Sequence, residues 1–231
     1  MKTIGLIGGM SWESTQSYYQ VINQSIKQSL GGLHSAKVIL FSVDFAEIAA
    51  LQAQGDWQSA GEILADAAHK LSLIGADAIV VCTNTMHKVA PQIEAGINIP
   101  LLHISDATGQ KLVNDQITKV GLLGTQFTME QAFYKTRLTD HFPIELIIPD
   151  QQDRETIHRI IYQELCLGKV LPESRKAYLH IIDKLAQQGA QAIILGCTEI
   201  GLLVKQTDTS IPLYDTALIH AEAAVEFMLR K

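Results

Sequence analysis

The chain has 231 residues, 47% of them hydrophobic and 18% charged, and carries a formal net charge of −6. That length suits one large or two small globular domains with a core of real size. The acidic balance excludes the basic footprint of a nucleic-acid binder and the polybasic cluster that an anionic membrane selects. No apolar run approaches the roughly 18 residues of a membrane span. The start, MKTIGLIGGMSWES, has too short an apolar stretch for a signal peptide and breaks at Gly8-Gly9. A cytoplasmic protein is expected. Cys82, Cys166 and Cys197 form an odd set with wide spacing, which argues against a disulfide framework or a zinc knuckle. Taken singly, each reads as a small buried hydrophobe.

Short β-like runs alternate with amphipathic helical segments, the pattern of an α/β protein. Lys2 to Ile7 and Lys37 to Val43 read as strands. Ser59 to Ile74 reads as a helix whose apolar stripe is Ile63, Leu64, Ala67, Leu71 and Ile74. Gly75 supplies the helix stop, and Ala78 to Val81 is a buried strand. Ser11, with Ser14-Thr15 beyond it, reads as a cap for the first helix. A closing helix is expected from Leu218 to Arg230.

An internal repeat organises these elements. Gly75-Ala76-Asp77-Ala78-Ile79-Val80-Val81-Cys82-Thr83 aligns with Gly189-Ala190-Gln191-Ala192-Ile193-Ile194-Leu195-Gly196-Cys197. Upstream, Ile4-Gly5-Leu6-Ile7-Gly8 matches Val120-Gly121-Leu122-Leu123-Gly124; downstream, Ile99-Pro100-Leu101 matches Ile211-Pro212-Leu213. Three blocks in the same order at nearly the same offset predict two similar α/β domains with parallel sheets, related by a pseudo-two-fold and sharing a cleft. The expected division is residues 1–106 plus 218–231 for the first and 107–217 for the second.

Ligands of open parallel sheets sit beyond the carboxyl ends of the strands. Thr83, Asn84 and Thr85 follow the strand of the first half, and Cys197, Thr198 and Glu199 follow its equivalent. Thr83 aligns with Cys197 and should face it. Inverting a stereocentre without a cofactor needs one group to remove the α-proton and another to deliver one from the opposite face. A thiol suits the task because its ordinary pKa of about 8.5 can be moved by its surroundings. Ser11, Thr85, Thr125 and Thr198 lie in strand-end loops and could donate to enolate oxygens.

Thr83-Asn84-Thr85-Met86-His87 together with Gly196-Cys197-Thr198-Glu199 resembles the aspartate/glutamate racemase family, which carries Cys-Asn-Thr-x-His in its first half and Gly-Cys-Thr-Glu in its second. Gly8-Gly9-Met10 and Ile99-Pro100-Leu101-Leu102-His103 look like further family blocks, so the resemblance spans essentially the whole chain. It implies a two-domain fold, a small acidic amino acid as substrate, no pyridoxal phosphate, no metal and a homodimer. Thr83 and Cys197 become the catalytic pair; Met10, Gln52, Asn84, Thr85, Thr125 and Thr198 become substrate-binding residues. In the racemases it resembles, the second-half cysteine takes the proton from the L-enantiomer, so Cys197 should act on L-Asp or L-Glu.

The chain departs from that pattern at three places. Thr83 occupies the first catalytic position, with Cys82 one residue earlier; a one-residue slip on a strand turns Cys82 toward the core. The first arginine is Arg137, so a first-half guanidinium clamp is missing and Gln52 is the nearest polar substitute. Cys166 stands where some members have a lysine; Lys169, one helical turn on, either compensates or is a solvated surface charge.

Gly5-x-x-Gly8-Gly9 lacks the lysine and spacing of a nucleotide loop, and the paired glycines read as a backbone that approaches a small carboxylate. His87 and His103 read as hydrogen-bonded structural residues rather than bases. Neither H-E-x-x-H nor G-x-S-x-G occurs. Two other classes stay open: a hydantoin racemase, maleate isomerase or malonate decarboxylase on the same scaffold, and a non-catalytic binder of acidic amino acids. Cys197 separates enzyme from binder, because a pure binder has no use for its thiol.

Overall fold

The computed structural model describes residues 1–230 and resolves the chain into two compact α/β units, Met1–Ile104 with the segment from His220 onward, and Ser105–Ile219. The first unit contains β1 (Ile4–Gly8), α1 (Trp12–Leu30), β2 (Val38–Ser42), α2 (Phe45–Gln54), α3 (Trp57–Leu73), β3 (Ala78–Val81), α4 (Ala90–Ala95) and β4 (Leu101–Leu102). The second contains most of α5 (Ile104–Asn114), then β5 (Lys119–Gly124), α6 (Gln126–Glu130), α7 (Ala132–His141), β6 (Glu145–Ile147), α8 (Gln151–Gln163), α9 (Pro172–Gln187), β7 (Ala192–Gly196), α10 (Ile200–Leu203) and β8 (Leu213–Asp215). The last helix, α11 (Thr216–Leu229), starts in the second unit and ends in the first.

Each unit holds one four-stranded, all-parallel sheet, ordered β2-β1-β3-β4 in the first and β6-β5-β7-β8 in the second. The repeat seen in the sequence is therefore a repeat of topology. It extends to register: Gly5 pairs with Ile79 and Gly121 with Ile193, the same two repeat positions in each sheet. Ile79 N–H donates to the Pro100 carbonyl and Ile193 N–H to the Pro212 carbonyl, both at 2.9 Å. β1, β3 and β7 are buried at every residue, which is why they read as unbroken apolar runs.

The glycine at the centre of each sheet has a packing reason. A Cβ on Gly5 would lie 3.0 Å from Ile79 Cδ1 and 3.2 Å from Leu71 Cβ of α3. One on Gly121 would lie 2.7 Å from Ile193 Cδ1 and 2.9 Å from Leu185 Cδ1 of α9. In both units the long helix entering the second central strand lies directly on the first.

Several boundaries differ from the sequence reading. β1 starts at Ile4 rather than Lys2 because the Lys2 N–H turns to the Met228 carbonyl at the end of α11. β2 is likewise shorter than Lys37 to Val43. α3 begins two residues before Ser59: Asp56 is the N-cap, taking the Ser59 N–H at 3.0 Å and its hydroxyl at 2.7 Å, which lowers the Asp56 pKa. Of the expected stripe, Leu64, Ala67 and Leu71 are buried and Ile63 partly so, but Ile74 is exposed, because it has already left the helix as its C-cap. Gly75, with φ +97°, completes the stop. α11 starts at Thr216, two residues before Leu218, where the Asp215 carboxylate takes the N–H groups of Ala217 and Leu218 at 2.9 and 3.2 Å.

Replacing Gly121 with Ala should lower stability by about 1–3 kcal/mol, since the added carbon meets two side chains wedged in a close-packed layer. Urea unfolding of G121A, against a Gly168→Ala control whose added carbon meets nothing within 4 Å but sits at φ +70°, tests this. The G121A midpoint should fall, and its refolded sheet should still give a native circular dichroism spectrum.

Candidate functional site

In the first unit the residues beyond β1 and β3 are held by a polar framework. Ser11 is the N-cap of α1 and accepts the Ser14 N–H at 3.3 Å, so the expected cap is real. Gly8 and Gly9 have a reason internal to the domain: a Cβ on Gly8 would strike the Thr15 side chain, and one on Gly9, at φ +94°, would strike the Val43 carbonyl. Thr15 in turn accepts the Gly9 N–H through Oγ1 at 2.8 Å. These glycines let α1 close onto the strand ends, whatever else approaches them. Met10 is buried, packed in a core cluster with Ile48, Leu64 and Met86.

β3 ends at Val81, so Cys82 and Thr83 both lie past the strand on which the expected alternation depends, and they differ in burial. Cys82 is fully buried, and burial pushes its thiol well above the ordinary range. Thr83 is partly exposed, while Asn84 and Thr85 are buried again as a short 3₁₀ turn, Thr85–Val89, begins. Gln52, on α2, is also buried and donates its amide to Met86 Sδ at 3.1 Å.

His87 fixes this turn. Its Nδ1 lies 2.8 Å from the Thr83 carbonyl, which can only accept, so Nδ1 carries the proton. Its Nε2 receives the Ile104 N–H at 3.2 Å, so that nitrogen is bare. Both ring nitrogens are committed to backbone, which makes His87 a neutral clasp. His220 is also committed at both nitrogens, one to backbone and one to a side chain: Nε2–H donates to the Leu102 carbonyl at 2.7 Å and Nδ1 accepts from the Tyr18 hydroxyl at 2.9 Å. His103 is buried with its ring centroid 4.5 Å from that of His87. The structural reading of His87 and His103 fits this packing.

In the second unit Thr125 sits beyond β5 as the N-cap of α6, its Oγ1 accepting the Thr128 N–H at 3.2 Å. Beyond β7, Cys197, Thr198 and Glu199 are all buried. Cys197 Sγ–H donates to Glu199 Oε2 at 2.9 Å, and Thr198 Oγ1–H donates to the same oxygen at 2.8 Å. Burial first, and the Glu199 charge second, push the Cys197 thiol well above its ordinary pKa. Cys166, in a 3₁₀ turn at Leu165–Leu167, also acts on Cys197 electrically and is only partly buried. That turn ends at Gly168 with φ +70°, so Lys169 is not one helical turn beyond Cys166; it lies past the reversal and is exposed.

Sequence reasoning named Thr198 but passed over Glu199 as a site member, although it stands in the same motif. The signal available was its spacing, two residues after a thiol. The network of His87, His220 and Tyr18 had no comparable sequence signal, since Tyr18 and His220 are 202 positions apart. Among the described residues no group of three or more His, Cys, Asp or Glu side chains is placed to hold a metal ion. No helix among them is long and apolar enough to cross a membrane.

The model of the Asp/Glu/Hydantoin racemase family matches residues 7–224. A crystal structure of a candidate Asp/Glu racemase from Yersinia pestis is 59% identical, with a TM-score of 0.93 and full coverage of both chains. A structure of an aspartate racemase homologue from Pyrococcus horikoshii is 32% identical, with a TM-score of 0.84, again over the whole of both chains. The broad-specificity amino-acid racemase RacX of Bacillus subtilis is 25% identical over 171 residues, covering 71% of this chain and 70% of RacX.

Thiol labelling of the folded protein should follow burial and thiol acidity. Cys166 should react first with iodoacetamide at neutral pH, and Cys82 only after denaturant is added. Peptide mass mapping along a labelling time course measures the order; early modification of Cys82 would contradict its placement.

Proposed function

The chain belongs to the Asp/Glu/Hydantoin racemase family and is an isomerase, and from that membership we propose that it racemises an acidic amino acid, aspartate or glutamate, without a cofactor. The observation that carries the reading is the equivalence of two strand ends. Thr83 follows β3 and Cys197 follows β7, at the same repeat position of two sheets with the same strand order. In this reading Cys197 and Thr83 act on opposite faces of one α-carbon, and Cys82, fully buried, takes no part.

The α-proton of an amino acid is a weak acid, so its removal needs a strong base held close and an environment that accepts the charge left on the carboxylate. Cys197 supplies the base as its thiolate. Asn84, Thr85, Thr125 and Thr198 supply polar contacts, Met10 an apolar wall, and Gln52 the amide that stands where a guanidinium clamp is missing. A neutral amide grips a carboxylate less tightly than a bidentate guanidinium. A homodimer in the cytoplasm completes the proposal.

Thr83 makes the pair chemically unequal. An alkoxide is far harder to form than a thiolate, so the hydroxyl delivers or relays a proton better than it removes one. Abstraction from the L-enantiomer by Cys197 is thus the efficient direction. The equilibrium between hands is untouched; only the efficiency from each side differs.

Exchange of the α-proton for deuterium in D2O tests both parts. Wild type should exchange L-Asp or L-Glu faster than the D-forms, and Cys197→Ser should lose roughly 1,000-fold or more with the fold intact. Thr83→Cys should raise activity toward the D-amino acid. Equal kcat/KM for D- and L-Glu in the unmodified enzyme would remove the one-base reading of Thr83.

A further inference from the structure

We propose that Glu199 is the positioning residue of Cys197, receiving the thiol proton when Sγ is to act as a base and orienting Sγ through the same bond. The inference rests on the reading of Cys197 as that base. Glu199 is 3% exposed, and a carboxylate is removed from water only at a cost that its contacts must offset. Helix capping does not explain it: Glu199 occupies the N-cap position of the four-residue α10, yet its side chain makes no capping hydrogen bond. Instead Oε2 collects the Cys197 S–H at 2.9 Å and the Thr198 O–H at 2.8 Å. Thr198 thereby aims the oxygen that faces the sulfur.

The other titratable groups acting on this pair are differently committed. Asp215, the last residue of β8, uses Oδ1 to cap α11. Tyr178, on α9, donates its hydroxyl to the Ile157 carbonyl at 3.4 Å, and burial keeps this phenol and that of Tyr162, on α8, protonated. Cys166 is itself an acid, Glu164 beside it acts on Tyr178, and Lys205 acts on Asp215. Glu199 is the carboxylate in hydrogen-bond contact with Sγ.

The step is a proton shift along an existing bond. The Cys197 S–H bond breaks and a Glu199 O–H bond forms, so the negative charge passes from carboxylate to sulfur. Sγ then takes the α-proton and becomes a thiol again, leaving the electron pair on the α-carbon. The proton delivered to the opposite face is recovered from solvent by its donor, and Glu199 returns its own to solvent. No electron is transferred to or from the protein.

The test is the pH dependence of Cys197 alkylation by iodoacetamide, read by peptide mass mapping, in wild type, Glu199→Gln and Glu199→Asp. A carboxylate beside a thiol opposes the second negative charge, so removing it favours the thiolate at lower pH. The alkylation midpoint of E199Q should fall by about one pH unit, with E199D between the two. In the same protein, α-proton exchange from the L-substrate at neutral pH should fall roughly 100-fold in kcat with little change in KM. It should stay low above the alkylation midpoint, where the thiolate has formed but lacks the hydrogen bond that orients Sγ. A merely structural Glu199 would change Tm and KM and leave that midpoint where it was.

An unchanged midpoint in folded E199Q, or wild-type exchange by that variant, overturns the proposal. If E199Q does not fold, an E199D midpoint equal to wild type overturns it alone. A wild type that exchanges no acidic amino acid, while the midpoint still shifts, overturns the racemase reading and supports the hold of Glu199 on the thiol.

Discussion

Both sheets depend on one close approach, that of a long helix to a strand at a residue without a side chain. α3 lies on β1 at Gly5, and α9 lies on β5 at Gly121, in each case bringing a leucine against the strand, Leu71 in the first unit and Leu185 in the second. From there the chain turns through Gly75 or Gly189, both in the left-handed region, and enters the second central strand in fixed register with the first. The register decides where that strand runs out, and hence that Cys82-Thr83 follow the carboxyl end of β3 and Cys197 that of β7. A bulkier residue at either contact would lift the helix away and loosen the strand end that follows.

The same dependence explains what was legible in the sequence. A strand buried on both faces tolerates only apolar residues, and a helix on its midpoint tolerates only glycine, so those blocks read clearly in both halves. The different burial of Cys82 and Thr83 is not a matter of strand alternation, because β3 ends at Val81 and is buried on both faces. Helix starts were harder, because Asp56 and Ser59 both have capping side chains and only geometry shows which one encloses the other. Ile74 looked like the end of an apolar stripe, but periodicity does not know where a helix has stopped. The clasp of His87 on the Thr83 carbonyl was recognised as structural without being locatable, since the Ile104 N–H that completes it lies 17 residues away.

The surroundings of the two cysteines show how burial and charge divide one residue type into different roles. Cys82 is held protonated by burial among apolar strands, with no carboxylate in contact, and its backbone carbonyl takes the Ser14 hydroxyl at 3.1 Å. Cys197 is also buried, yet its thiol meets a carboxylate. Both effects raise the pKa, and only the second offers the proton somewhere to go.

The discontinuity of the first unit bears on how the chain is completed as it is made. Residues 105–219 form the second unit in one uninterrupted stretch, so every strand of its sheet is available once Asp215 has left the ribosome. The first unit, though begun earlier, is closed by the end of α11: His220 bonds Tyr18 and the Leu102 carbonyl, and the Met228 carbonyl takes the Lys2 N–H at 3.0 Å. Domains fold as units during synthesis, ordinarily from the amino terminus onward. Here the order of completion is reversed: the segment of the first unit that precedes the second must wait, partners unfilled, for the segment that follows it.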